Sequence, residues 1–180
     1  MVQQSNSLSR RLQHHVVSKL STRNFMKHVL PEDSLFAFDV LHTVLRHYYD
    51  EKTSERVIKN ILKLVAKLAL VFHDEKNVDK HEDALADTHE KVHSFLLTVC
   101  CYHDLAHSYC QKHILDVLNE AEASLLVLIE PILSDKSAGR ARFIFEHLRN
   151  PELLDAFFQA DGPHRKEREE LVRAIDLFPF

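Results

Sequence analysis

Two sets of side chains in this 180-residue chain have types and spacings that could do chemistry. Cys100, His103, His107 and Cys110 fall at i, i+3, i+7 and i+10. On one unbroken helix they would share a face, and thiolate and imidazole are zinc-type ligands. Neither pair has the tight spacing of a zinc ribbon or finger, and a turn between two helices is expected in this region. No metal site is therefore expected. The second set is cationic. Lys59, Lys63 and Lys67 recur at i, i+4 and i+8, and Arg11, His15, Lys19 and Arg23 repeat the same interval nearer the N-terminus. Stripes of this kind either face water or meet an anion such as lipid phosphate. The Asp and Glu residues form no recognisable catalytic motif with a nucleophile. With 2 Gly in the chain there is no glycine-rich phosphate loop, so an enzyme is not expected.

The element that carries the lysine stripe runs from Val57 to Phe72. Twelve of its sixteen residues are apolar, and the exceptions are Asn60 and the three lysines. An ordinary amphipathic helix buries one stripe; this one needs apolar contact on most of its circumference. It is too short and too charged to span a bilayer, which takes roughly 20 apolar residues. It is read as a central helix, packed by other helices or lining an apolar cavity. A second broad helix follows at about Ser108 to Leu133, with Ile114, Leu118, Leu125 and Ile129 on its apolar face. Further helices are expected over about 34–49, 82–102 and 134–149, with a short one begun by Asn150-Pro151 and a last one ending near Leu177. Asp74 to Lys80 reads as a polar turn. Gly139 stands early in its helix, as a point of close packing or an adaptable first turn.

Few chain-reversing residues (2 Gly, 5 Pro) and long 3.6-residue periods predict an all-α protein, a bundle of six or seven helices. Three cysteines close together are not a disulfide framework and suit a reducing cytosol. No signal-peptide hydrophobic stretch is expected. The first 31 residues carry +5 of a net charge of −4, so the rest carries −9. That balance excludes general nucleic-acid binding but leaves a basic arm for an anionic surface. Leu8, Leu12, Val16 and Leu20 lie beside the basic stripe, so residues 1–24 form an amphipathic basic helix and residues 25–180 the helical domain. Such a helix lies at a membrane interface or packs on the domain by its leucines; a mitochondrial transit peptide has the same composition. At about 1 kcal/mol per cation near an anionic leaflet, five would supply at most about 5 kcal/mol.

Lys136-Ser137-Ala138-Gly139-Arg140, followed by Phe143, Phe145, Glu146, His147 and Pro151-Glu152-Leu153-Leu154, resembles the hallmark segment of the tumour necrosis factor-α-induced protein 8 (TIPE) family. Val57-Ile58-Lys59-Asn60 resembles the start of that family's second main helix, and Ser7-Leu8 with Ser18-Lys19 its N-terminal helix. The likeness spans about Ser7 to Leu177, which speaks against a cleaved transit peptide. It implies a death-effector-domain-like bundle in mirror topology around a large central hydrophobic cavity. It also implies phosphoinositide binding and transfer, in regulation of cell death, inflammation or autophagy, by a cytoplasmic protein peripherally associated with membranes. Phospholipid would be the ligand, with no further cofactor and no catalysis.

Carried over position by position, the family's headgroup residues fall on Arg23, Lys19, His14, His15, His73 and His89, with Lys91 nearby. Several permanent charges of the family are thus histidines here, which predicts headgroup binding that strengthens as pH falls toward 6. The family's histidine in the hallmark segment is Ala138. Acyl chains would lie among Ile58, Ile61, Leu62, Val65, Leu68, Phe95, Val99, Leu118, Leu125 and Ile129. Expected partners are phosphoinositides, an anionic membrane surface and signalling proteins of cell-death pathways. The competing expectation is an interaction adaptor in apoptosis or autophagy signalling, with its interior filled by side chains and no lipid cargo.

Overall fold

A computed structural model of the protein describes residues 32–105 and 108–176, and every regular element among them is an α-helix. They are α1 (Glu32–Leu45), α2 (Glu51–Phe72), α3 (Glu75–Lys80), α4 (Glu82–Asp104), α5 (Gln111–Ile129), α6 (Asp135–Leu148), α7 (Pro151–Phe158) and α8 (Arg165–Asp176). The expected basic helix within residues 1–24 lies outside the described residues.

Local chemistry sets the ends of these helices. Asp50 caps α2, its carboxylate accepting from the Thr53 amide at 2.9 Å and the Thr53 hydroxyl at 2.7 Å, so the helix begins ahead of the apolar run that starts at Val57. Losing such a cap costs about 1 kcal/mol. Asn150 caps α7 by accepting from the Glu152 and Leu153 amides, with Pro151 at the first helical position as expected. α1 stops four residues short of Tyr49. The chain tightens into turns over residues 46–49, and the two tyrosines then reach different partners, Tyr48 Oη lying 3.2 Å from His164 Nε2 and Tyr49 Oη donating to the His147 carbonyl at 2.9 Å. α5 ends at Ile129, just before Pro131, which has no amide to continue the ladder. Its first cap is Cys110 rather than Ser108, whose hydroxyl donates to the Leu105 carbonyl instead.

The polar segment after His73 is not a turn but the six-residue α3. Asp74 accepts from the Lys76 amide at 3.2 Å, and the Asn77 side chain donates to the Val71 carbonyl at 2.9 Å. No residue of α3 is fully buried, so hydrophobic periodicity carries no trace of it.

In the bundle α4 packs along α5, α1 along α8, and α6 lies against both α2 and α5. The main core draws on every helix except α3: Val44 and Leu45, Val57, Val99 and Tyr102, Ile114 and Leu118, Phe145, Leu153 and Phe157, and Val172 and Ile175. Two smaller clusters use the rest of α2. Leu64 meets Ile129, Ala141 and Ile144 between α5 and α6, while Leu62 and Ala66 meet Leu35 and Phe38 of α1. α2 is therefore buried on three sides, as its composition requires. Each valine, leucine or isoleucine so buried contributes about 1.5–3 kcal/mol. Among the described residues no helix is long and apolar enough to cross a membrane.

Candidate functional site

The remaining side of α2 is polar, exposed at Lys52, Arg56 and Lys59 and half-buried at Lys63. α6 lies along it, and between the two helices runs a cleft of about 600 Å³. Helical spacing places Lys52, Arg56, Lys59 and Lys63 in register along the α2 wall; Lys136 and Arg140, one turn apart, form the α6 wall. Six cations thus share a cleft with one carboxylate, that of Glu55, and Lys59 already holds it at 2.5 Å. Arg56 stacks over the Phe143 ring at 4.1 Å, which fixes the cleft's apolar edge beneath a guanidinium. Among the described residues no carboxylate comes within ion-pair distance of Lys63, Lys136 or Arg140.

The lysine stripe sinks as it advances. Lys59 is exposed, Lys63 is half-buried, and Lys67 is drawn against α6, where its ammonium donates to the hydroxyl of fully buried Ser137 at 2.7 Å. The stripe is therefore solvated at Lys59 and packed against α6 at Lys67. Burial pushes the Lys63 ammonium below its ordinary value, and Arg140, Lys136 and Lys59 push the same way. Lys67 is pushed down to about 8, first by burial and then by Arg140, Lys136 and Lys63. Burial also lowers Arg140, whose Nη1 is enclosed without a hydrogen-bond partner among the described residues. Gly139 lines the cleft between Lys136 and Arg140, and a Cβ built there meets no atom within 4 Å. Close packing therefore does not explain this glycine. The groups gathered here are N–H donors and positive charges, and a phosphate oxygen can accept from each.

The expected headgroup residues are placed differently. Arg23, Lys19, His14 and His15 lie outside the described residues. His73 caps the C-terminal end of α2 and is exposed. His89 is exposed on α4 and stacks on His93 at 6.2 Å. Lys91 is held by Glu120 at 3.4 Å and Glu90 at 3.5 Å, and those acids raise its pKa. Among the described residues no hydrogen bond, ion pair or ring contact joins His73 to His89 or Lys91. The ten apolar residues expected around acyl chains all fall in the three clusters. Val99, Leu118, Ile129 and Leu62 are buried, and Ile58, Ile61, Val65, Leu68, Phe95 and Leu125 are half-buried against them.

The family-model description that fits this chain, over residues 3–178, is "Tumor necrosis factor alpha-induced protein 8-like". The chain belongs to the tumour necrosis factor alpha-induced protein 8 family. Among relatives in that family, tumour necrosis factor alpha-induced protein 8 of Gallus gallus is 27% identical over 174 residues, covering 96% of this chain and 92% of its own. The human protein of that name is 27% identical over 176 residues, covering 96% and 87% respectively. A Danio rerio relative, the 8-like protein 2 B, is 22% identical, with 96% and 93% covered. For this family member the hallmark segment from Lys136 to Arg140 is one wall of the cationic cleft.

One wall of that cleft shows in the sequence and the other does not. Lys59, Lys63 and Lys67 stood out by spacing, while Lys52, Arg56, Lys136 and Arg140 carried no expectation of binding. The missing signal is the pairing of two helices 70 residues apart, as at Lys67 and Ser137. Cys100 and His103 lie on α4 but Cys110 begins α5, after a turn, so the spaced Cys/His set does not share one helix; His107 lies outside the described residues.

Proposed function

We propose that this family member is a cytoplasmic, peripherally membrane-associated protein that binds and transfers anionic phospholipid, phosphoinositides foremost. Through that activity it would regulate cell death, inflammation or autophagy. The observation that carries the reading is the cationic cleft of α2 and α6, six cations against one engaged carboxylate in a chain whose net charge is −4. A surface of opposite sign to the rest of the molecule is the mark of an anionic partner. The basic segment preceding α1 adds five cations for an anionic leaflet. Apolar residues of α2 and α5, several of them only half-buried, would part to take the acyl chains.

Native mass spectrometry of the full chain after exposure to phosphoinositide tests this. A stoichiometric adduct of phospholipid mass is the expected result, with release to acceptor vesicles in a transfer assay. A bare chain after exposure, under conditions gentle enough to keep it folded, would replace lipid carriage with the adaptor function. Deleting residues 1–24 is expected to abolish liposome binding; an adaptor would keep its protein partners without them.

A further inference from the structure

We propose that the α2–α6 cleft is a seat for clustered phosphate groups, a binding site in its own right and separate from His73 at the C-terminal end of α2 and His89 on α4. It rests on the anionic-ligand reading above and moves the phosphates to a different place on the molecule. Lys63, Lys136 and Arg140 converge from two helices without a carboxylate among them. Like charges held together in a cleft repel one another, and the half-buried Lys63 and Arg140 also lose hydration. Both costs show in the depressed pKa of Lys63, for which burial and the three neighbouring cations are the causes. A multivalent anion removes the repulsion and replaces the lost water, so the cleft is arranged for an occupant.

Three further features select phosphate. Arg140 Nη1 is buried with its donors unmatched among the described residues, and a guanidinium fork matches two phosphate oxygens. Gly139 leaves the cleft open at the point where any other residue would project a side chain between Lys136 and Arg140. A glycine inside a helix costs about 1 kcal/mol against alanine, and nothing packs here to demand it. The volume, about 600 Å³, lies within the ~300–1,000 Å³ of small-molecule sites. It is too cationic for an acyl chain, and its one aromatic wall, Phe143, is covered by Arg56. One ligand chemistry fits: two or more phosphate groups close together, whether on a lipid headgroup or on a soluble polyphosphorylated molecule.

The test uses the full chain and two probes. Inositol hexakisphosphate is titrated calorimetrically, and phosphatidylcholine vesicles with and without phosphatidylinositol 4,5-bisphosphate are sedimented. Wild type is expected to bind the soluble probe, and the Lys63→Gln, Lys136→Gln double variant about tenfold or more weakly. Both positions have solvent access, so the double variant keeps its fold, which its melting curve checks. Gly139→Phe should block binding and Gly139→Ala should not. Lys166→Gln with Arg173→Gln on α8 makes the same charge change away from the cleft and should bind as wild type does. Loss of both probes in the cleft variants supports a lipid source for the phosphates; loss of the soluble probe alone supports a soluble source. If wild type binds vesicles and the cleft variants bind both probes as well as it does, the seat is wrong while lipid binding stands. If wild type binds neither probe, both readings fall. Equal displacement by poly-glutamate would show carboxylates suffice and would overturn the phosphate assignment.

Discussion

Lys67 meets its cationic neighbours at the greatest cost to itself. Its ammonium is pushed down to about 8 by burial and by Arg140, Lys136 and Lys63, against roughly 10.4 in an unfolded chain. Between those values the unfolded chain keeps the proton and the folded chain does not, so stability rises with pH across that window. At pH 7 both states are protonated, and the folded one carries a half-buried charge whose hydrogen bond among the described residues goes to the Ser137 hydroxyl. Lys67→Met keeps the length and removes the charge. It is expected to raise the melting temperature at pH 7, and its advantage over wild type is expected to shrink between pH 8 and pH 10. A variant that melts below wild type at pH 7 would mean that the bond to Ser137 outweighs desolvation. The residue could be noticed in the sequence from its place in the lysine stripe. Its burial could not, because that depends on α6 arriving from 70 positions away.

Among the helices, the two glycines separate a site from a scaffold. Gly139 sits inside α6 with open space where a side chain would go, whereas a Cβ at Gly162 would run into the Ala156 carbonyl and lie 3.0 Å from that of Gln159. Gly162 also donates its amide to the Gln159 carbonyl at 3.0 Å, closing the turn that leads from α7 toward α8. Gly139→Ala is expected to stabilise by about 1 kcal/mol through helix propensity, seen as a Tm increase of about 2–4 °C for a chain of this size. Gly162→Ala is expected to destabilise by about 1–3 kcal/mol, since backbone rather than a flexible side chain must yield. Thermal melts of the two variants side by side decide this, and equal shifts of one sign would refute the distinction. The long helices were legible because α2, α4, α5 and α6 each bury a periodic apolar face. α3 was not, because capping and side-chain-to-backbone bonds hold it without a buried residue. The cleft was half legible: the α2 wall shows as a period of four, but no local pattern shows that Lys136 and Arg140 oppose it.

For the molecule as a whole, the joint between α1 and α8 couples stability to pH in a sense opposite to the expected headgroup histidines. His164 is only 2% exposed. It lies edge-on to His47 at 4.8 Å, with Tyr48 Oη 3.2 Å from its Nε2 and the Glu167 carboxylate 3.9 Å from its unpartnered Nδ1. Burial lowers its pKa first and His47 second, and Glu167 opposes them only in part. The unfolded chain therefore takes up a proton near the ordinary value of about 6.5 while the folded chain still refuses it. Stability from this group is full above that value and is lost as pH falls below it, at no more than about 1.4 kcal/mol per pH unit for one proton. His164→Gln keeps a hydrogen-bonding partner for Tyr48 and cannot titrate. Chemical denaturation at pH 7.5 and pH 5.5 is expected to show a smaller loss for the variant than for wild type, and an equal loss would remove His164 as the cause.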